Sequence, residues 1–235
     1  MYLLQELQEK PEASFIFSSS CTVYGQAEKM PITEDAPVQQ PMSPYGNTKK
    51  IGEEIIRDTA KATNINAILL RYFNPIGAHP SIKIGELPIG VPQNLVPFIT
   101  QTGIGLRKEL SVYGDDYPTT DGTCVRDYIH VVDLAKAHVV ALQRLLNKKN
   151  LAKVETFNLG TGTGSSVLEV ITSFEKVSDK KLPYKIVARR EGDITEAYAN
   201  TAKANDVLGW KAQSTLDEAI KSAWEWEQKI RNEVS

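Results

Sequence analysis

Ser43-Pro44-Tyr45-Gly46-Asn47-Thr48-Lys49 reads as the start of a helix that carries a phenol and an ammonium four residues apart. Ser43 has the short hydroxyl of an N-cap. Pro44 suits the first helical position, where the amide proton it lacks would have no partner. Positions i and i+4 share a helix face, so Tyr45 and Lys49 lie one turn apart on the same side. A phenol ionises near pH ~10 in water, and one nearby positive charge lowers an acid's pKa by roughly 1 to 3 units. The spacing therefore predicts Tyr45 as a base usable near neutrality. Alone, Y-x-x-x-K is a short pattern that an ordinary amphipathic helix also meets. The flanking sequence settles what it is part of.

Upstream, Ala13-Ser14-Phe15-Ile16-Phe17 reads as a buried strand that runs straight into Ser18-Ser19-Ser20-Cys21-Thr22-Val23-Tyr24-Gly25. Hydroxyls at the carboxyl end of a buried strand stand where α/β sheets place ligands. Downstream, Ile68-Leu69-Leu70-Arg71-Tyr72-Phe73-Asn74-Pro75 repeats the apolar strand with a polar exit. With Ser20, Tyr45 and Lys49 in this order, the chain resembles the extended short-chain dehydrogenase/reductase superfamily, and within it the UDP-glucose (UDP-galactose) 4-epimerase family. The resemblance covers nearly the whole chain, through Phe15 to Gly25, Ser43 to Lys49, Arg71 to Pro80, Pro92 to Pro97, Arg126 to Asp133 and Arg189 to Asp193.

Composition sets outer limits. A chain of 235 residues with 41% hydrophobic residues can bury a sizeable core in one large domain or two small ones. Lys plus Arg number 27 against 29 Asp plus Glu, a net charge of -2, so no basic excess points to nucleic acid or an anionic membrane. No apolar run approaches 18 residues, and Met1 to Leu7 turns polar too soon for a signal peptide, which predicts a cytoplasmic protein. Cys21 and Cys124 lack metal-ligand spacing and read as reduced packing thiols. His79, His130 and His138 are scattered, so no metal is expected.

In chain order, Tyr2, Leu3, Leu4 and Leu7 have helical spacing without a cap ahead of them. A strand at 14 to 18, a loop at 25 to 42, a helix from Pro44 to about Ala62 and a strand at 66 to 73 follow. Residues 74 to 92, rich in Pro and Gly, read as an irregular ligand-covering loop. A helix from Asn94 to about Leu106, a strand at 110 to 113, an extended run at 125 to 129 and a helix at 131 to 146 come next. A strand at 156 to 159, a helix at 166 to 177, a strand at 184 to 188, a short helix near 202 to 208 and a last helix from about 216 to 230 complete it. Alternating strands and helices give α/β: an incomplete Rossmann-like parallel sheet flanked by helices, plus a smaller mixed α/β substrate-binding lobe. The expected division is 1 to 75 with about 131 to 165 in the NAD-binding part, and 76 to 130 with 166 to 235 in the UDP-sugar lobe.

Gly160-Thr161-Gly162-Thr163-Gly164 invites a dinucleotide-binding reading, but G-x-G-x-x-G would need glycine at Ser165. It is read as a tight turn. The resemblance implies that the family's glycine motif, about a hundred residues before Met1, is missing, as in a truncated chain or a partial reading frame. The strand Phe15 to Phe17 would then be an exposed apolar edge.

The resemblance also implies a chemistry, NAD-dependent interconversion of UDP-galactose and UDP-glucose through a 4-keto intermediate. Tyr45 is the implied general base and acid, Ser20 bonds the reacting oxygen, and Lys49 holds the nicotinamide ribose and lowers the phenol's pKa. Ser18 and Phe73 complete the implied NAD contacts with Tyr45 and Lys49. Ser20, Asn74, Asn94, Leu95, Tyr113, Arg126, Arg190 and Asp193 are the implied UDP-sugar contacts, with Ala197 beside the sugar C2, where a small side chain leaves room for an N-acetyl group. Without the resemblance, Arg126 reads as a salt-bridge partner of Asp127 and Arg189-Arg190 as a solvated charge pair. Dehydrating sister enzymes carry Asp-Glu where this chain has Cys21-Thr22, which disfavours elimination; a UDP-glucuronate decarboxylase fits less well. The competing class is an inactive fragment that binds UDP-sugar only. A homodimer, paired through helices such as the one bearing Tyr45, is implied for the complete protein.

Overall fold

A computed structural model describes residues 2–10 and 13–232. Its elements in chain order are α1 (Tyr2–Gln8), β1 (Ser14–Ser20), a one-turn 3₁₀ helix (Cys21–Tyr24), α2 (Pro44–Ala62), β2 (Asn66–Tyr72), β3 (Asn74–Ile76), α3 (Leu95–Gly103), β4 (Leu110–Tyr113), β5 (Val125–Arg126) and β6 (Tyr128–His130). There follow α4 (Val131–Leu146), β7 (Val154–Leu159), β8 (Ser165–Ser166), α5 (Val167–Ser178), β9 (Tyr184–Val187), β10 (Glu196–Ala197), a π-type turn (Ala204–Leu208) and α6 (Leu216–Asn232). The chain divides into two units of nearly equal length. The first takes the residues up to Phe73 with Leu134–Gly162 and Tyr198–Lys211; the second takes Asn74–Asp133, Thr163–Ala197 and the chain from Ala212 onward.

The first unit is α/β. Its sheet is wholly parallel in the order β1-β2-β7, with Phe15 beside Ala67, Ser20 beside Tyr72, and Tyr72 beside Leu159. The centre is β2, where Ala67 to Leu70 are fully buried, as a strand covered on both faces should be. At one margin β1 is only half-buried from Ser14 to Ser18, which agrees with the apolar edge expected there. The helix α2 packs on β1 at close range. A Cβ on Gly52 would stand 2.6 Å from the Phe17 ring, so only glycine admits the approach.

Tyr198–Lys211 belongs to this first unit, whereas the sequence pattern assigns it to the sugar-binding lobe. The reason is backbone pairing over a long separation. Ile32 N–H donates to Tyr198 O at 2.9 Å, and Asn200 N–H to Ile32 O at 2.7 Å. No local pattern announces such a contact.

The second unit surrounds a core of Val96, Ile99, Val112, Ile171, Phe174, Ile220 and Trp224, with Phe174 and Trp224 edge to face at 5.3 Å. Around it run the parallel pairs β3-β6 and β4-β9 and the small sheet β10-β5-β8. Ser166 and Glu169 form a reciprocal capping box at the start of α5. The stretch expected to be irregular from 74 to 92 begins with β3, which a three-residue strand is too short to announce in sequence. No described helix is long and apolar enough to cross a membrane.

Candidate active site

In the first unit the expected trio comes together at the carboxyl end of β1. Ser20 ends the strand and caps the 3₁₀ helix, its Oγ accepting from Thr22 N at 3.2 Å and from Thr22 Oγ1 at 3.0 Å. Ser43 caps α2, its Oγ accepting from Gly46 N–H at 3.1 Å. Tyr45 sits in the first turn, 52% exposed, with the Ser20 side chain near its phenol. Lys49, one turn on, donates to the Ser18 carbonyl at 2.8 Å, and its Nζ lies 5.4 Å from the Tyr45 ring centroid.

The Tyr45 phenol departs from expectation. It stands above its ordinary pKa, chiefly through burial, with nearby Tyr72 adding to the rise and the Ser20 hydroxyl opposing it. Lys49 does not supply the depression read from the i, i+4 spacing, because its ammonium is aimed at the Ser18 carbonyl. Tyr24 is no rival base. Burial pushes its phenol up to about 12, despite Arg71 nearby, and its hydroxyl donates to Asn158 Oδ1 at 2.7 Å.

Sequence reasoning missed the residues that hold this trio in place. Glu53 lies on α2 two turns beyond Tyr45 and one beyond Lys49, and is 3% exposed. Its carboxylate accepts from Ser19 Oγ at 2.5 Å and from Arg71 at 2.8 and 2.5 Å, which ties α2 to β1 and β2 at once. Burial alone would raise the Glu53 pKa; the Arg71 guanidinium and the Ser19 hydroxyl outweigh it and hold the carboxyl below its usual range. The i, i+8 position of an acid on the same face was the available signal. Ser18 Oγ in turn bonds His138 Nε2 at 3.2 Å, and Phe73 is buried with its N–H on Leu159 O at 3.1 Å.

The second unit holds a cleft of about 440 Å³, within the range of small-molecule sites. Asn74, Asn94, Leu95, Tyr113, Arg126, Arg190 and Asp193, all named from sequence, line it; Cys124, Phe98 and Tyr128 do so without having been named. Asn74 is fixed by its N–H on Asp127 O at 2.9 Å, and Asn94 by its side-chain amide on Glu86 at 2.8 Å. The ion pair of Arg126 is with Asp193, at 2.7 Å, rather than with its neighbour Asp127. Arg189 and Arg190 are both exposed, and their guanidinium carbons lie 3.9 Å from the Tyr117 ring centre and 3.8 Å from that of Tyr113. Ala197 does not line the cleft; it pairs in register with Arg126. Planar arginines beside backbone amides suit a diphosphate, and tyrosine faces suit a base.

A profile of the GDP-mannose 4,6 dehydratase family matches residues 1–223. The UDP-glucose 4-epimerase of Mus musculus is 51% identical over 228 residues, which cover 97% of this chain and 65% of that protein. That of Bacillus subtilis (strain 168) is 51% identical over 233 residues, 98% of this chain and 68% of its own. The chain belongs to the UDP-glucose 4-epimerase family. A solved family member, from Stenotrophomonas maltophila with bound NAD and formylated UDP-arabinopyranose, superposes with a TM-score of 0.90 at 46% identity over 94% of this chain and 65% of its own. Relative to the mouse family member, this chain spans less than two thirds of the length. Among the described residues no group of three or more His, Cys, Asp or Glu could hold a metal ion.

Proposed function

We propose that this chain serves the NAD-dependent interconversion of UDP-glucose and UDP-galactose in the cytoplasm, as a homodimer when complete. One observation carries the reading: the Ser20 hydroxyl stands near enough to the Tyr45 phenol to act on its ionisation, and Lys49 is fixed one turn away on the Ser18 carbonyl. These donors fit the nicotinamide ribose end of NAD. Of the three ammonium donors of Lys49, the Ser18 carbonyl takes one, which leaves capacity for a vicinal diol. When bound, NAD accepts hydride from the sugar C4 and returns it to the other face.

Once ionised, a state its burial in this structure opposes, Tyr45 takes the proton of the 4-hydroxyl and later gives it back, so the chain's own part in the chemistry is a single proton. Ser20 donates to whichever oxygen carries the charge at that moment, a contribution of a few kcal/mol, about 3, where charge develops. Asn74, Tyr113, Arg126 and Arg190 hold the uridine diphosphate in the second unit. Cys21 and Thr22, spent in the 3₁₀ turn, offer no acid and base for eliminating water, which supports epimerase over dehydratase chemistry. Ala197 lies outside the cleft but pairs in register with Arg126, which lines it, and on that placement of a small residue UDP-N-acetylhexosamines are proposed substrates too. An Ala197→Tyr variant that turned them over as well as the parent would remove that part of the proposal.

The test is to denature the purified protein, assay the released NAD, and then follow UDP-galactose conversion. Near-stoichiometric NAD with turnover is expected. A folded sample that binds UDP but holds no NAD and turns nothing over would refute catalysis and leave a UDP-sugar-binding piece.

A further inference from the structure

In the second unit, two consecutive arginines leave the end of β9 and stack on two tyrosines that flank the turn after β4. Only Arg190 lines the cleft. Arg189 instead closes a local circuit: its Nε donates to Asp116 Oδ1 at 2.6 Å, its Nη2 to the Asp116 carbonyl at 2.5 Å, and its guanidinium covers the buried Tyr117 ring. Gly114 makes the circuit possible. It adopts φ +80, its N–H donates to Val187 O at 2.8 Å, and a Cβ there would meet Tyr117 at 2.6 Å and Arg189 Cγ at 2.8 Å. The Arg189 side chain is thus held on Asp116 and Tyr117, immediately before the arginine that lines the cleft.

We propose that Arg189, latched on Asp116 and Tyr117, is a positioning residue that holds Arg190 over Tyr113 for a nucleotide diphosphate. The inference rests on the reading of this cleft as the UDP site. Arg189 touches no ligand in it; its effect is to spare Arg190 the ordering that binding would otherwise require. Immobilising one flexible side chain costs about 0.5–1.5 kcal/mol, which corresponds to roughly two- to twelvefold in affinity.

Titration calorimetry of UDP into this chain tests it. Arg189→Ala should weaken UDP binding by about two- to twelvefold, and should add nothing in an Arg190→Ala background. Asp116→Ala is the discriminating variant. Its carboxylate is 69% exposed, so folding does not depend on it, and removing a negative charge near an anion site would by field alone tighten binding. The latch instead requires weaker binding. Tighter binding in Asp116→Ala, or an equal loss from Arg189→Ala in both backgrounds, overturns the latch while leaving the UDP site standing. If Arg190→Ala itself binds UDP as the parent does, the cleft reading fails and takes the latch with it.

Discussion

Arg71→Met isolates the buried charge that ties α2 to the sheet. Glu53 and Arg71 are 3% and 2% exposed, so the substitution leaves a carboxylate in the interior with only Ser19 at 2.5 Å and the half-exposed Arg57 at 3.7 Å. Breaking a buried pair by removing one partner costs about 3–5 kcal/mol. Arg57 already approaches Glu53, which argues for the lower end, about 3 kcal/mol, or roughly 6–12 °C in melting temperature for a chain of this size. Circular dichroism melts and urea titration would measure it. Adding Glu53→Gln should restore at least half of the loss, because the amide still accepts from Ser19 while the uncompensated charge is gone.

The pH dependence has a definite sign. In the parent, Arg71 and Ser19 hold Glu53 below its ordinary value, so its contribution is present above pH ~4.3 and is lost only as pH falls through the lower folded value. Without Arg71, burial is left to raise the same carboxyl, and protonation in the folded state relieves the variant. The gap between parent and variant should narrow from pH ~7 towards pH ~5. A loss under 1 kcal/mol that is flat across this range would refute the argument that α2 is held by a buried charge.

Tyr45→Phe should lower epimerase turnover by roughly 10²–10⁴-fold with an unchanged melt, since the phenol is half exposed. An alkaline absorbance titration of parent minus Tyr45→Phe should show this phenolate appearing only above pH ~10, given the upward shift; ionisation below pH ~8 would reinstate the effect of Lys49 that the spacing suggested. Gly52→Ala should destabilise. The helix gains about 1 kcal/mol from alanine, but overpacking against Phe17 at 2.6 Å costs about 1–3 kcal/mol, and a more stable variant would refute the close approach.

What the sequence made legible was local. Ser43 and Pro44 announce the start of α2 by chemistry at adjacent positions, and the 3.6-residue period carries it to Ala62. Likewise Leu110–Tyr113 and Val131–Leu146 fall where the apolar pattern puts them. Two-residue strands such as β5, β8 and β10 have no period to read and exist only through their partners. The Tyr45 pKa went astray for a related reason. Spacing fixes which residues share a face, but the direction of the Lys49 ammonium depends on the Ser18 carbonyl, a residue on another element. Arg71 with Glu53, and Arg189 with Asp116, are pairs of distant residues that no window contains.

Each unit is assembled from three separate stretches, and the chain passes from one to the other after Phe73, Asp133, Gly162, Ala197 and Lys211. During synthesis neither unit can be finished early. The first waits for Tyr198–Lys211 to reach Ile32, and the second waits for α6 to bring Ile220 and Trp224 to its core. At roughly 5–20 residues per second, the end of β2 is made about 6–25 seconds before Tyr198, and a ribosome that stalls near residue 197 releases two unfinished cores rather than one folded half.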